Sequence, residues 1–337
     1  MRRLQQLFGW SVIIALVTFT AVPMALADGN LVVYSTNQQA QNEWQAAAFE
    51  KATGIKCKMV RAGSGVTLKK MRAEKNRPLG DVVQGMAKLI MLNNMDLLEP
   101  YKIKDFDVYA DEHKDPNGMW IGQMLQVMVF MYNTKLVSPA EVPKSWEDFL
   151  DPKWKDRVAY CTPQNSGAAY TQLCAMLTLW GDNENGWNKI AKLFKNAKIT
   201  QQSSIVSRGV AEGEFPAGIT MEYMGFRYKK GGAPVEVVYP VEGTVAYAEA
   251  AGVIKGAKNP ENAHRYLDWA SGLDARSQIV SKFMRRPARP DIDFSELCPG
   301  MLPLAQVKQV QGYDRAYWTE KRPEVLKKAK DMLLRVK

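Results

Sequence analysis

Hydrophobic and polar positions along this chain change rhythm every ten residues or so. After an uncharged apolar run from Phe8 to Val22, short β-branched runs alternate with stretches whose apolar residues recur every three or four positions. Leu31 to Tyr34 predicts a strand. Gln39 to Ala52 predicts a helix with Trp44, Ala48, Phe49 and Ala52 on one face and Gly54 past its end. Cys57 to Arg61 (strand), Val66 to Lys75 (helix) and Asp81 to Gly85 (strand) continue the alternation. Gly122 to Tyr132 is long, uncharged and extended, and predicts a strand passing from one lobe to another. Beyond it come a strand at Arg157–Tyr160, a helix carrying Tyr170, Leu173, Cys174, Leu177 and Trp180, a helix ending near Gly213, and a strand at Ala217–Thr220. Glu222 opens a helix that stops at Gly231-Gly232, Val235 to Tyr239 is extended, and the small-residue run Val245–Ile254 returns to the first lobe. Asn259-Pro260 starts a helix with Tyr266, Leu267, Trp269 and Ala270 buried, and Glu324 to Val336 predicts a C-terminal one. Strand followed by helix, repeated, argues for an α/β protein built on mostly parallel sheets.

The polar residues collect at the junctions where a strand hands over to a helix. Five stand out: Ser35-Thr36-Asn37, Gly63-Ser64-Gly65, Asn165-Ser166-Gly167, Ser203-Ser204 and Glu222-Tyr223. Each fits an ordinary helix cap. Each also fits a cradle for an oxyanion, because free N–H groups at helix N-termini favour negative charge and glycine lets the backbone approach a ligand. Ligands of open α/β sheets bind at this edge.

Composition then narrows the classes. Arg2 and Arg3, the apolar run, Pro23 and the small residues Ala25 and Ala27 form an export signal expected to be cleaved after Ala27. The remainder is long enough for two lobes. The net charge of +10 is dispersed, in pairs such as Lys69-Lys70, Lys229-Lys230, Arg285-Arg286 and Lys327-Lys328. Without a clustered stripe and interleaved aromatics, nucleic acid is not an expected partner, whereas a mild positive field suits an anion. No dinucleotide fingerprint, Walker loop, Gly-x-Ser-x-Gly elbow or His-Glu-x-x-His is present, and there are two histidines, His113 and His264. Neither a cofactor nor an enzyme activity is expected, and His264 falls on the exposed face of its helix. The four cysteines match no zinc spacing. Three disulfide pairings are open. Cys161–Cys174, flanking one strand–helix unit, with Cys57–Cys298 is favoured, against four buried thiols.

The stretch Gly218–Thr244, with Pro143-Lys144-Ser145-Trp146 running on to Asp151-Pro152-Lys153-Trp154-Lys155, and Arg285-Arg286-Pro287, resembles the ferric-ion, sugar-phosphate and phosphonate branch of the periplasmic solute-binding proteins that feed ABC importers. The resemblance implies a two-lobed periplasmic-binding fold with two strand crossings as a hinge. It implies a discontinuous first lobe, 28–125 with 252–337, and a second lobe, 126–251. It implies a periplasmic monomer that delivers a small solute to a membrane permease and, indirectly, its ATPase; a sensor module would share the fold. Ferric members use paired tyrosines where this chain reads Glu222-Tyr223-Met224, so an iron site would have to draw on Glu222, Tyr223 and Tyr228. The sugar-phosphate and phosphonate members surround an oxyanion with hydroxyls and N–H groups. On that pattern the solute is an organophosphate or phosphonate, such as a hexose phosphate, a phosphoglycerate or 2-aminoethylphosphonate. It is held by Ser35, Thr36, Asn37, Ser64, Gly65, Asn165, Ser166, Gly167, Ser203, Ser204, Glu222 and Tyr223, with Glu222 taking an amine or a sugar hydroxyl.

Overall fold

A computed structural model describes residues 30–296 and 298–336. The export signal assigned to residues 1–27 lies outside the described residues. In the first lobe β1 (Leu31–Ser35), β2 (Cys57–Arg61) and β3 (Val82–Ala87) are parallel, with β1 in the middle. The helices α1 (Gln39–Thr53), α2 (Ser64–Ala73) and α3 (Lys88–Leu92) follow these strands in turn. In the second, β6 (Val158–Cys161), β7 (Ala197–Thr200) and β8 (Ala217–Met221) are parallel, with β6 between the other two. The helices there are α4 (Gly167–Trp180), α5 (Glu184–Asn196), α6 (Ser203–Glu212) and α7 (Glu222–Lys230). The strand β9 (Val235–Val238) completes this sheet, and β4 (Leu98–Glu99) adds a short edge to the first.

One strand makes the two sheets continuous. β5 (Ile121–Asn133) pairs antiparallel with β10 (Ala246–Ile254) through its first half and with β8 and β9 through its second. It is buried along almost its whole length, which is why its sequence carries no charge. β10 returns the chain and pairs with β3, so the sheet reads β2-β1-β3-β10-β5-β8-β6-β7. These are the two crossings between lobes. After β10 come α8 (Pro260–Ser271), α9 (Leu273–Phe283) and β11 (Arg286–Pro287), which pairs with β5. The chain ends in α10 (Arg315–Glu320) and α11 (Arg322–Val336). α10 packs on α3 of the first lobe and α11 on α5 of the second, so the chain end reaches across both lobes.

The segment at Pro143–Lys155 shows why its aromatic residues are there. The Ser145 hydroxyl accepts from the Glu147 N–H and caps a short turn, while Trp146 and Phe149 bury themselves edge-on against Phe130 of β5, ring centroids 4.9 Å apart.

Several sequence expectations need correction. α1 buries Gln41, Asn42, Gln45 and Phe49 rather than a face of Trp44, Ala48 and Ala52. The apolar period failed because the inner face of α1 is a hydrogen-bonded polar layer over β1 and β3. All four cysteines are free, so neither Cys161–Cys174 nor Cys57–Cys298 forms, and Cys161, Cys174 and Cys298 are buried thiols. Burial pushes Cys161 and Cys298 up to about 11. The His264 ring is not a free surface group: it stacks on Tyr101 at 3.9 Å, with 4° between the planes. Among the described residues no helix is long and apolar enough to cross a membrane.

Candidate functional site

Five helix N-termini meet between the lobes. α1 begins after Gln38, α2 after Gly63, α4 after Ser166, α6 after Gln202 and α7 after Met221, and each of these residues or its neighbour lines one cavity of about 350 Å³. The reason is topological: all five junctions follow the carboxyl ends of strands, and because β1–β3 run antiparallel to β6–β8, those ends face each other near the middle of β5 and the helices point their free N–H groups at the same space.

The wall from the first lobe is formed by Thr36, Gln38, Arg61, Gly63 and Ser64. The Thr36 hydroxyl donates to the Gly85 carbonyl, and Gly85 sits at φ +72°, where a Cβ would stand 2.6 Å from Asn37 Oδ1. Arg61 occupies the end of β2 in register with Ser35 and is anchored by Nε donating to the Asn37 carbonyl at 3.0 Å. The wall from the second lobe is Asn165, Ser166, Gly167, Gln201, Gln202, Ser203, Ser204 and Tyr223. Here the Ser166 hydroxyl caps α4 by accepting from the Ala169 N–H at 3.1 Å and lies 2.5 Å from the Ser203 hydroxyl.

The lobes are closed on each other. A Cβ on Gly63 would lie 2.3 Å from the Asn165 carbonyl oxygen and one on Gly65 2.0 Å from that of Gln164, so glycine is what allows the two backbones to touch. Arg61 reaches Gln202 Oε1 at 3.4 Å and the Ser204 hydroxyl at 3.5 Å. Gln38 donates to the Tyr223 hydroxyl at 3.4 Å and to Met224 Sδ, and accepts from Arg227.

Of the residues named from sequence, the structure brings Thr36, Ser64, Asn165, Ser166, Gly167, Ser203, Ser204 and Tyr223 to the cavity wall. Four do not line it. Ser35 is fully buried under α1, donating to Asn42 Oδ1 at 2.7 Å and accepting from Gln84 at 3.2 Å. Asn37 is buried beside it, and Gly65 faces the Gln164 backbone. Glu222 turns away altogether. Its carboxylate accepts from Arg286 Nε at 3.1 Å and Nη2 at 2.7 Å, and from the Tyr239 hydroxyl at 2.5 Å, with both charged side chains at 3% exposure or less. That pair gives it a structural partner and withdraws it as a receptor for an amine or hydroxyl. Tyr228 lines no part of the cavity either, so Glu222, Tyr223 and Tyr228 are not assembled into a metal centre; among the described residues no cluster of three or more His, Cys, Asp or Glu side chains could hold an ion.

The sequence reading missed Gln38, Arg61, Gln201, Gln202, Tyr247 and Glu249. Two signals were available. Ser35 and Arg61 end adjacent parallel strands, so a site at one implicates the other. Tyr247 and Glu249 are two apart in β10 and share a face. Glu249 Oε1 accepts from Gln126 at 2.6 Å and Oε2 is paired with Arg285, whose guanidinium lies 4.1 Å from the Tyr223 ring centroid. Burial holds the Tyr247 phenol well above its ordinary value, with Arg285 pulling the other way.

Residues 78–310 match the family described as bacterial extracellular solute-binding protein. The chain belongs to that family. The fold of this solute-binding protein is that of the periplasmic binding protein AfuA from Actinobacillus pleuropneumoniae, solved with fructose-6-phosphate bound: TM-score 0.84 and 27% identity, covering 91% of this chain and 99% of that one. It is 24% identical over 289 residues to a putative 2-aminoethylphosphonate-binding periplasmic protein of Salmonella typhimurium, covering 80% of this chain and 82% of the relative. It is 26% identical over 289 residues to the major ferric iron-binding protein of Neisseria meningitidis serogroup B, covering 81% of this chain and 84% of that protein. The solute-binding protein therefore stands beside proteins solved with a sugar phosphate or named for a phosphonate or ferric iron.

Proposed function

We infer that this protein binds a small organic phosphate or phosphonate between its lobes and delivers it to the membrane permease of an ABC importer in the periplasm. One observation carries the choice of ligand: five helix N-termini and the hydroxyls of Thr36, Ser64, Ser166, Ser203 and Ser204 face one cavity together with the Arg61 guanidinium. Such N-termini each favour negative charge by about 0.3–1 kcal/mol when exposed, and more when partly buried. Thr36, Ser64, Asn165, Ser166, Gly167, Ser203, Ser204 and Tyr223 are the proposed contacts from the original set, joined by Gln38 and Arg61. The names of the phosphonate relative and of the sugar-phosphate-bound structure support the same class. The lobes are taken as 28–125 with 252–337, and 126–251, the C-terminal helices bridging them. Delivery follows closure of the lobes about β5 and β10.

The ferric alternative has the Neisseria relative in its favour, but hard Fe(III) prefers several anionic oxygens, and Tyr223, Tyr247 and Glu249 are the groups the cavity offers. Arg285 already neutralises Glu249. Thermal unfolding of the mature protein with 2-aminoethylphosphonate, glucose 6-phosphate, phosphoglycerate, inorganic phosphate and ferric citrate tests the reading. A ligand at 100 times its Kd adds about 2.7 kcal/mol to stability. Stabilisation by a phosphate ester or phosphonate is expected; stabilisation by ferric citrate alone would overturn the anion assignment.

A further inference from the structure

The cavity carries one feature that an anion site does not need. Glu249 faces it from β10 on the hinge side, the one charged residue of that strand. A carboxylate in the wall of an anion site repels the solute unless its charge is offset. Arg285 supplies that offset from behind: its side chain is 1% exposed and lines no part of the cavity, whereas the Glu249 side chain is 12% exposed and does. What remains at the cavity surface is a carboxylate whose charge is offset and whose oxygens, accepting from Gln126 and Arg285, keep lone pairs that can accept from a solute. The network around it is also unfinished, since Arg285 Nε and Nη1 and Gln126 Oε1 are buried with no hydrogen-bond partner. An acceptor buried on closure against a solute with nothing to donate costs the desolvation of that oxygen.

We propose that Glu249 selects the tail of the solute: the ligand class is an oxyanion joined to a short chain bearing a hydrogen-bond donor, a hydroxyl or an ammonium, which donates to the Glu249 carboxylate. This rests on the anion reading given above. The helix N-termini and Arg61 hold the phosphate or phosphonate group, and Glu249 discriminates against bare inorganic anions and against organic anions whose tails carry no donor. Arg285 acts through Glu249 as a positioning residue, and its charge keeps the carboxylate tolerable beside the anion.

The test is calorimetric titration of the intact mature protein with 2-aminoethylphosphonate, 2-hydroxyethylphosphonate, ethylphosphonate and inorganic phosphate. The wild-type protein is expected to bind at least one donor-bearing phosphonate about tenfold or more tighter than ethylphosphonate. In Glu249→Met that ratio is expected to collapse to within about threefold. Glu249→Gln separates the two donors, because an amide oxygen still accepts from a hydroxyl but gives no charge to an ammonium; loss of preference there identifies the ammonium, and retained preference the hydroxyl. If Glu249→Met fails to fold with Arg285 unpaired, the double variant with Arg285→Met and the wild-type ratio still decide. Ethylphosphonate bound as tightly as both donor-bearing ligands, or an unchanged ratio in the Met variant, overturns this proposal and leaves the anion reading standing. No binding of any of the four anions overturns this proposal, and no stabilisation by glucose 6-phosphate or phosphoglycerate either overturns the anion reading as well.

Discussion

Arg285 and Arg286 are neighbours in the chain, and each holds one glutamate, yet the two ion pairs do different work. Arg286 and Glu222 are sealed, and the carboxylate receives a further hydrogen bond from Tyr239. Arg285 and Glu249 are buried on one side and open to the cavity on the other. One step along the chain separates a pair that ties α7 to β11 from a pair that a solute can touch. The difference teaches that charge and spacing name the partners of an ion pair, while the surroundings assign its role.

The sealed pair should show the largest effect when broken. Glu222→Ala leaves a buried guanidinium uncompensated and is expected to lower the free energy of unfolding by about 3–5 kcal/mol in urea titrations. Replacing both partners by apolar side chains of similar volume should recover much of that loss. A small loss in the single variant would mean the pair is not sealed, and the contrast with Glu249 would fail.

The cavity wall comes next. Arg61→Gln is expected to weaken anion affinity about tenfold and to flatten its dependence on ionic strength, because the one cation that lines the cavity among the described residues has gone. Calorimetry at two salt concentrations checks both. Ser166→Ala and Ser64→Ala sharpen the point. Both should weaken anion binding several-fold, but Ser166→Ala should also cost about 1 kcal/mol of stability, since that hydroxyl caps α4 and the Ser64 hydroxyl caps nothing.

A surface pair gives the smallest effect. Asp96 meets Arg72 at 2.6 Å and Lys75 at 3.0 Å in the open, and these hydrogen bonds lower its carboxyl to about 2. Its contribution is present above the unfolded value near 4 and is lost as pH falls through about 2. Asp96→Asn should remove that segment of the acid dependence and change stability at neutral pH by no more than about 1 kcal/mol, as measured by urea unfolding at a series of pH values.

Much of the fold could be read from local pattern. The strand–helix junctions are marked by residues that cap helices or relax the backbone, and eight of the twelve residues named from them line the cavity. What could not be read was orientation. Glu222 opens α7, and nothing within its own helix says whether it faces the cavity or the hinge; Arg286, far along the chain, decides. Ser35 looked like a cap and became part of a buried layer because α1 turns polar residues inward over Gln84. Arg61 and Glu249 sit in strands rather than junctions, so they become visible only once the neighbour of each strand is known. The cysteine pairing failed for a different reason: spacing limits which thiols can meet but gives no geometry for a bond.

The path of the chain end has a mechanical consequence. Two adjacent strands, β5 and β10, form a ribbon that both bends and twists with little resistance. α10 lies on α3 and α11 on α5, while the Gln164 side chain donates to the Leu326 carbonyl at 2.9 Å, so a third strut joins the lobes away from that ribbon. Three attachments that are not collinear resist torsion far more than two. Such a frame is expected to leave the lobes a single soft flexure that brings the same residues face to face at every stroke.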